Sequence, residues 1–407
     1  MGDSGELLGF WSAAGSMPAV DNDRSKIVEF PSTDTGVLPH QRLLEMVESG
    51  GIDSIETVEP DQVQPASVDL RLGRTAYQIR ASFLPNSWNV MERIQELSVG
   101  KPISLVNGAV LEKGSVYIVQ LMEGVRLDKD TFGVANPKSS TGRLDVFTRL
   151  ITNKGTSFDR IDKSYAGPLF IEIAPLTFNI VVRTGVRLNQ VRFLRERGTA
   201  GGTLTKVATE NYYSSGQLVR LPGEERLPLR EGDLVPVTID LRGASKGAIV
   251  GYRAKSTLNP IDVSLVNHYE PREFWDNLES DGGRLILEKN EFYILATRED
   301  VGVPPRTAAI MVPYEPQSGE FRVHYAGFFD PGFGWENGRA IGSRAVLEVR
   351  SHGVPFTLEH GQIIGWLRYL QIAGGETDSL YGRDVVSNYQ GQGVALAKQF
   401  KRWPKGQ

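Results

Sequence analysis

The chain carries its own outline twice. Residues 110–127, "VLEKGSVYIVQLMEGVRL", return as "ILEKNEFYILATREDVGV" at 286–303, an offset of 176. The same offset lays Pro137 on Pro313, Glu172 on Glu348 and Gly185 on Gly361. Farther upstream, "PASVDLRLGRTAYQIRAS" (65–82) is similar to "PVTIDLRGASKGAIVGYRAKS" (236–256) at an offset of 171. A repeat on this scale implies two copies of one folding unit. Each copy consists of short alternating segments rich in Val, Ile, Tyr and Phe, broken by Gly and Pro, which reads as strand. The clearest helical period is "HQRLLEMVESG" at 40–50. The expected fold is therefore mainly β, a barrel or sandwich in tandem, with few short helices.

The duplication divides the chain. Residues 1–36 read as an N-terminal extension, 37–197 as the first β domain and 231–372 as the second. Between them, 198–230 is polar and rich in Gly, Thr and Ser, a linker or exposed insertion. Residues 373–407 have too little apolar periodicity for a domain and read as a tail or lid.

Of 407 residues, 40% are hydrophobic and 23% charged, the profile of a soluble globular chain able to bury a core. A net charge of −4 gives no basic stripe for a nucleic-acid polymer, though a small anionic ligand remains open. There is no cysteine, so disulfides, thiolate nucleophiles and Cys-ligated zinc are excluded. The five histidines form no metal-ligand spacing, so no protein-bound metal is expected. No run of about 18 apolar residues points to a membrane span, and the expected location is cytoplasmic.

The copies differ at one polar cluster. Lys138, Ser139, Ser140 and Arg143 fall opposite Tyr314, Glu315, Pro316 and Gly319. Turn residues with only a structural duty had no reason to diverge so completely. In "LFIEIAP", period-2 alternation puts Leu169, Ile171 and Ile173 on one face and Phe170, Glu172 and Ala174 on the other. A carboxylate sharing a face with Phe170 and Ala174 points to a pocket or interface, where desolvation suits it to be a general base. "FDRIDKSYAG" (158–167), with Arg160 and Asp162, reads as a hairpin, and the second copy keeps "FFDPGFG" with Asp330.

Taken in order, "PASVDLRLG", "KSSTGR", "DRIDKSYAGPLFIEI" and the tail "YGRDVVSNYQGQG" resemble the dCTP deaminases of the dUTPase-related β superfamily, in their long duplicated bacterial form. The resemblance implies a tandem of dUTPase-like β-barrel or distorted jelly-roll domains. It also implies zinc-independent hydrolysis of the cytosine amine of dCTP to dUTP and ammonia. Glu172 would be the base, Ser139 would hold the water, and Arg143 would orient the carboxylate and offset developing charge. Lys138, Ser140 and Arg160 would contact the triphosphate or the base, Asp162 the deoxyribose hydroxyl, and the Phe170 backbone the pyrimidine edge. Tyr381, Tyr389 and Gln392 match tail positions that close over the triphosphate, and Mg²⁺ would arrive on its phosphates. Asn388 stands where many relatives have lysine, and "LITNKGTS" adds residues before Arg160. Glu348, kept although its copy lacks the serine–arginine cluster, could be a relic, an interface residue or the base in a composite site, the first two being favoured. Two copies per chain would give a homotrimer of six domains. The rival readings are a dUTP diphosphatase, a bifunctional deaminase forming dUMP, and a non-catalytic nucleotide sensor.

Overall fold

The computed structural model describes residues 34–197, 202–221, 226–312, 321–323, 327–351, 353–385 and 389–404. The expected N-terminal extension lies almost wholly outside them, as do Tyr314, Glu315, Pro316, Gly319 and Asn388.

The alternating runs of the first half become strands, as expected. They are β1 (Val68–Ile79), β2 (Val116–Arg126), β3 (Thr131–Pro137), β4 (Val146–Thr152), β5 (Ala166–Pro175) and β6 (Arg187–Arg195). They pair antiparallel in the order β4-β5-β2-β1-β6-β3, and β4 lies against β3, curling the sheet toward a barrel. On β5 the two faces separate as the alternation requires. Leu169, Ile171 and Ile173 enter the main core, while Phe170 packs into a second cluster with Ile118, Ile151 and Ile94. Three helices sit around this sheet: α1 (His40–Glu48), α2 (Val90–Leu97) and α3 (Ser139–Gly142). α2 starts at a capping box in which the Asn89 N–H donates to Glu92 at 2.7 Å, and its inner face is Val90 and Ile94.

The second half opens with α4 (Lys206–Ser214), followed by β7 (Leu234–Thr238), β8 (Ile249–Ala254), β9 (Trp275–Glu279), β10 (Phe292–Val301), β11 (Thr307–Val312), β12 (Arg344–Ser351) and β13 (Ile363–Gln371). The pairings repeat those of the first half: β5 with β2 becomes β12 with β10, and β6 with β3 becomes β13 with β11. The difference lies at β1, one continuous strand where the second half has β7 and β8 on separate sheets.

Two expectations about this region are corrected. The Arg71 N–H donates to Glu123 at 2.7 Å, and the Thr238 N–H donates to Glu299 at 2.8 Å. Glu299 is the counterpart of Glu123 at the main offset, so Thr238 stands where Arg71 stands. The likeness of "DLRLG" to "DLRG" is therefore a register slip, because residues 239–248 are an insertion turning through Gly243 and Gly247 at positive φ. Residues 204–220 are also no free linker: Thr205 caps α4 by accepting from the Ala208 N–H, and Tyr213, Leu218 and Val219 are buried in the second core.

The expected hairpin at 158–167 is not one. Arg160–Ile161 pairs with β3, whereas β5 pairs with β2 and β4, so the two strands leave their turn in different directions. Ser164, at φ 62°, makes that corner, and the Tyr165 hydroxyl closes it by donating to the Pro168 carbonyl at 2.7 Å.

The halves share a seam. Phe178 of the first half meets Trp275 of the second at 5.5 Å between ring centres, and Phe400 from the tail covers the other side of Trp275 at 5.9 Å. Ile180–Val182 runs parallel to Ile261–Asp262, continuing a sheet from one half into the other. Trp275 and Phe178 are wholly buried, so the seam is core rather than a wet domain contact. Among the described residues no helix is long and apolar enough to cross a membrane.

Candidate active site

The seam opens into a cavity of about 160 Å³, lined from three directions. From the first half come Lys138, Ser139, Ser140 and Arg143; from the second, Phe329, Asp330, Val346 and Glu348; from the tail, Tyr381, Tyr389, Gln392 and Lys398. The first group exists because β3 ends at Pro137 and the chain turns at once into α3. That single helical turn is closed by the Arg143 N–H donating to the Ser139 carbonyl at 3.1 Å. It delivers Ser139, Ser140 and Arg143 to the cavity, with Arg143 almost wholly buried.

Arg143 is the hub. Its guanidinium stacks on Tyr389 at 3.9 Å, donates to the Ala395 carbonyl at 3.0 Å and to the Gln392 side chain at 3.1 Å. Its Nε makes no hydrogen bond among the described residues and lies 4.0 Å from Glu348 Oε1. Burial pushes the Glu348 carboxyl up to about 7, against the opposing pull of Arg143. Such a carboxylate is half ionised near neutral pH, the condition a general base needs. Burial likewise raises the Tyr389 hydroxyl, which accepts from the Lys398 N–H at 3.3 Å.

Asp330 is held from across the seam. The wholly buried Arg192 of β6 donates to its carboxylate at 2.7 Å and to the Ala309 carbonyl at 3.0 Å. Burial raises the Asp330 pKa, with Arg192 pulling the other way. The turn "DPGFG" depends on its glycines: Gly332 has φ +93°, and a Cβ there would lie 3.0 Å from the Tyr381 backbone.

The site residues expected from sequence divide into two sets. Lys138, Ser139, Ser140, Arg143, Tyr381, Tyr389 and Gln392 all line the cavity. Glu172, Phe170, Arg160 and Asp162 do not. Glu172 is buried on β5, where Arg149 occupies its carboxylate through Nε at 2.9 Å, and Arg149 itself stacks on Phe158 at 3.7 Å. Phe170 is sealed in an apolar cluster. Arg160 and Asp162 pair with each other at 3.0 Å on the surface. The carboxylate facing the serine–arginine turn is Glu348, with Val346 and Asp330 beside it, at the contact between the two halves. The reason is topological: the seam sets α3 of one half against β12 of the other, not against its own β5. The offset placing Glu348 on Glu172 was the signal in the sequence. Asp159, not singled out in the sequence, is half-buried near Glu172, with its carboxyl raised to about 7 by desolvation.

A second, wider cavity of about 830 Å³ shares Lys138, Ser140 and Lys398 with the first and continues past Asp69, Arg187 and His40. Among the described residues no group of three or more His, Asp or Glu could hold a metal ion.

Comparison with known proteins identifies relatives of the whole chain. Residues 34–197 match the N-terminal domain model, and 208–400 the C-terminal domain model, of 2'-deoxycytidine 5'-triphosphate deaminase. The crystal structure of 2'-deoxycytidine 5'-triphosphate deaminase from Agrobacterium tumefaciens is similar with a TM-score of 0.76 and 45% identity, covering 83% of this chain and 98% of that one. The dCTP deaminase of Ignicoccus hospitalis is 25% identical over 44% of this chain and 92% of its own length. A Dictyoglomus turgidum protein named dCTP deaminase, dUMP-forming, is 27% identical over 38% of this chain and 76% of its own length. With both domain models matched in order along one chain, the protein belongs to the dCTP deaminase family.

Proposed function

We propose that this chain hydrolyses the amine of dCTP to give dUTP and ammonia, with Glu348 as general base in a site built from both halves. The observation that carries the reading is the cavity in which Ser139 and Arg143 of the first half meet the raised carboxyl of Glu348. Ionised Glu348 takes a proton from water as its oxygen attacks C4, and the proton passes to the ring nitrogen. A second transfer through the same carboxyl protonates the amine, which leaves as ammonia while the C4 carbonyl forms. Ser139 holds the water, and Arg143 offsets charge gathering at the attacked carbon. Asp330, fixed by Arg192, receives the deoxyribose hydroxyl in the place expected of Asp162. Zinc would need a set of ligands that the described residues of this cysteine-free chain do not group. Magnesium would enter on the triphosphate, since Mg²⁺ commonly binds phosphate oxygens with few protein ligands.

The repeated pairings support duplication of one ancestral unit, and a homotrimer of two-domain chains remains our expectation on symmetry grounds. The location we propose is cytoplasmic. dUTP is favoured over dUMP as product because the carboxylates of the wider cavity are already paired: Asp61 to Arg187, Asp69 to Lys138 and Asp378 to His40. Hydrolysis at the α-phosphate would need one free to position water. The test is incubation with dCTP and Mg²⁺, following ammonia and separating dUTP from dUMP by ion exchange. Ammonia with dUTP supports the proposal, dUMP with pyrophosphate makes the enzyme bifunctional, and no ammonia overturns it.

A further inference from the structure

The tail brings one cation to the junction of the two cavities, and sequence reasoning did not single it out. Lys398 lines both, alongside Lys138 and Ser140. Its backbone is fixed on every side. The Asn267 N–H donates to its carbonyl at 2.8 Å and its own N–H reaches the Tyr389 hydroxyl at 3.3 Å. Ala397, Gln399 and Phe400 around it are buried, and the Gln399 amide donates to the Val263 carbonyl at 2.8 Å.

The carboxylates around the wider cavity each have another partner. Asp61 takes Arg187 at 2.8 Å, Asp378 takes His40 at 2.9 Å, Asp384 takes Arg383 at 2.7 Å, and Asp69 takes Lys138. Lys398 forms no ion pair with a described carboxylate. Burial first, then the like charges of Lys138 and Arg187, lowers its pKa, with Asp69 opposing. Of the cations at the cavity junction, Lys138 and Arg187 are already paired with Asp69 and Asp61, so Lys398 is the ammonium that no described carboxylate takes, and an anionic ligand is the class that relieves it.

We propose that Lys398 is a triphosphate-binding residue, gripping the substrate's phosphate chain opposite Lys138 and joining the tail to it. The proposal rests on the deaminase reading for the identity of the nucleotide, but not for the phosphate site itself.

The test uses the full chain and its Lys398→Gln and Lys398→Arg variants, with inorganic tripolyphosphate as the probe in calorimetry and dCTP in steady-state kinetics. One charge-assisted phosphate contact corresponds to about ten- to hundredfold in affinity. The expected result is that K398Q weakens tripolyphosphate binding and raises KM for dCTP by that factor, while K398R recovers most of both. Unchanged tripolyphosphate binding in K398Q overturns the proposal. Failure of the wild-type protein to release ammonia from dCTP would sink the deaminase reading, leaving the tripolyphosphate comparison to decide on Lys398. Should K398Q not fold, acetic anhydride labelling of Lys398 in the wild-type protein decides: protection by tripolyphosphate supports the site, and equal labelling with and without it overturns it.

Discussion

Replacing Glu348 by Gln removes a carboxylate that the fold holds at a disadvantage. Burial raises its pKa from 4.5 to about 7. At about 1.4 kcal/mol for each decade in the acid constant, ionised Glu348 costs the folded state roughly 3 kcal/mol. The sign follows from the direction of the shift. Below 4.5 the group is protonated in both folded and unfolded chains and there is no penalty. Between 4.5 and 7 the unfolded chain releases its proton first, so stability falls as pH rises, and above 7 the penalty is complete. Glutamine keeps the shape and removes the titration. The stability of E348Q relative to wild type should therefore improve by roughly 3 kcal/mol between about pH 4.5 and about pH 8, while turnover is lost. Urea titration followed by tryptophan fluorescence at a series of pH values measures this. A stability difference that stays constant across that range would refute the idea that Glu348 is desolvated and strained in its charged form.

Because the base acts when ionised, kcat/KM for dCTP should rise with pH to a plateau, with its midpoint near 7 where Glu348 deprotonates; stopped assays from about pH 5 to 9 show it. Arg143→Lys cannot keep the Tyr389 stack and both tail hydrogen bonds, so kcat/KM should fall by at least about tenfold and the tail should become more open to limited proteolysis. Trp275→Ala, which empties the seam between Phe178 and Phe400, should cost about 3–5 kcal/mol in chemical denaturation. Glu172→Gln should leave turnover in place while costing about 1–3 kcal/mol, since Arg149 loses the charge it is packed against.

Much of this molecule could be read from its chain. Alternation in "LFIEIAP" places Leu169, Ile171 and Ile173 in the core, and the polar cluster at 138–143, present once in the sequence, lines the cavity. The tail residues Tyr381, Tyr389 and Gln392 also reach the cavity. What stayed hidden was pairing in space. A repeat places Glu348 on Glu172 but cannot tell which carboxylate faces α3, because that depends on how the halves pack, with Trp275 held between Phe178 and Phe400. Nor can sequence show that Arg149 takes the Glu172 carboxylate, since the two meet only by cross-strand register between β4 and β5. The slip at "DLRG" has a similar cause. Three consecutive matching letters outweighed a backbone bond to Glu299 that only the folded chain displays. Lys398 was passed over because a single lysine in a tail carries no pattern until its neighbours converge.

The most direct measurement is ammonia release from dCTP by E348Q and E172Q proteins assayed side by side with wild type, each with nucleotide binding checked by calorimetry. The account predicts that E348Q binds dCTP but releases no ammonia, whereas E172Q turns over. A silent E172Q beside an active E348Q would contradict it and return the chemistry to the first half of the chain.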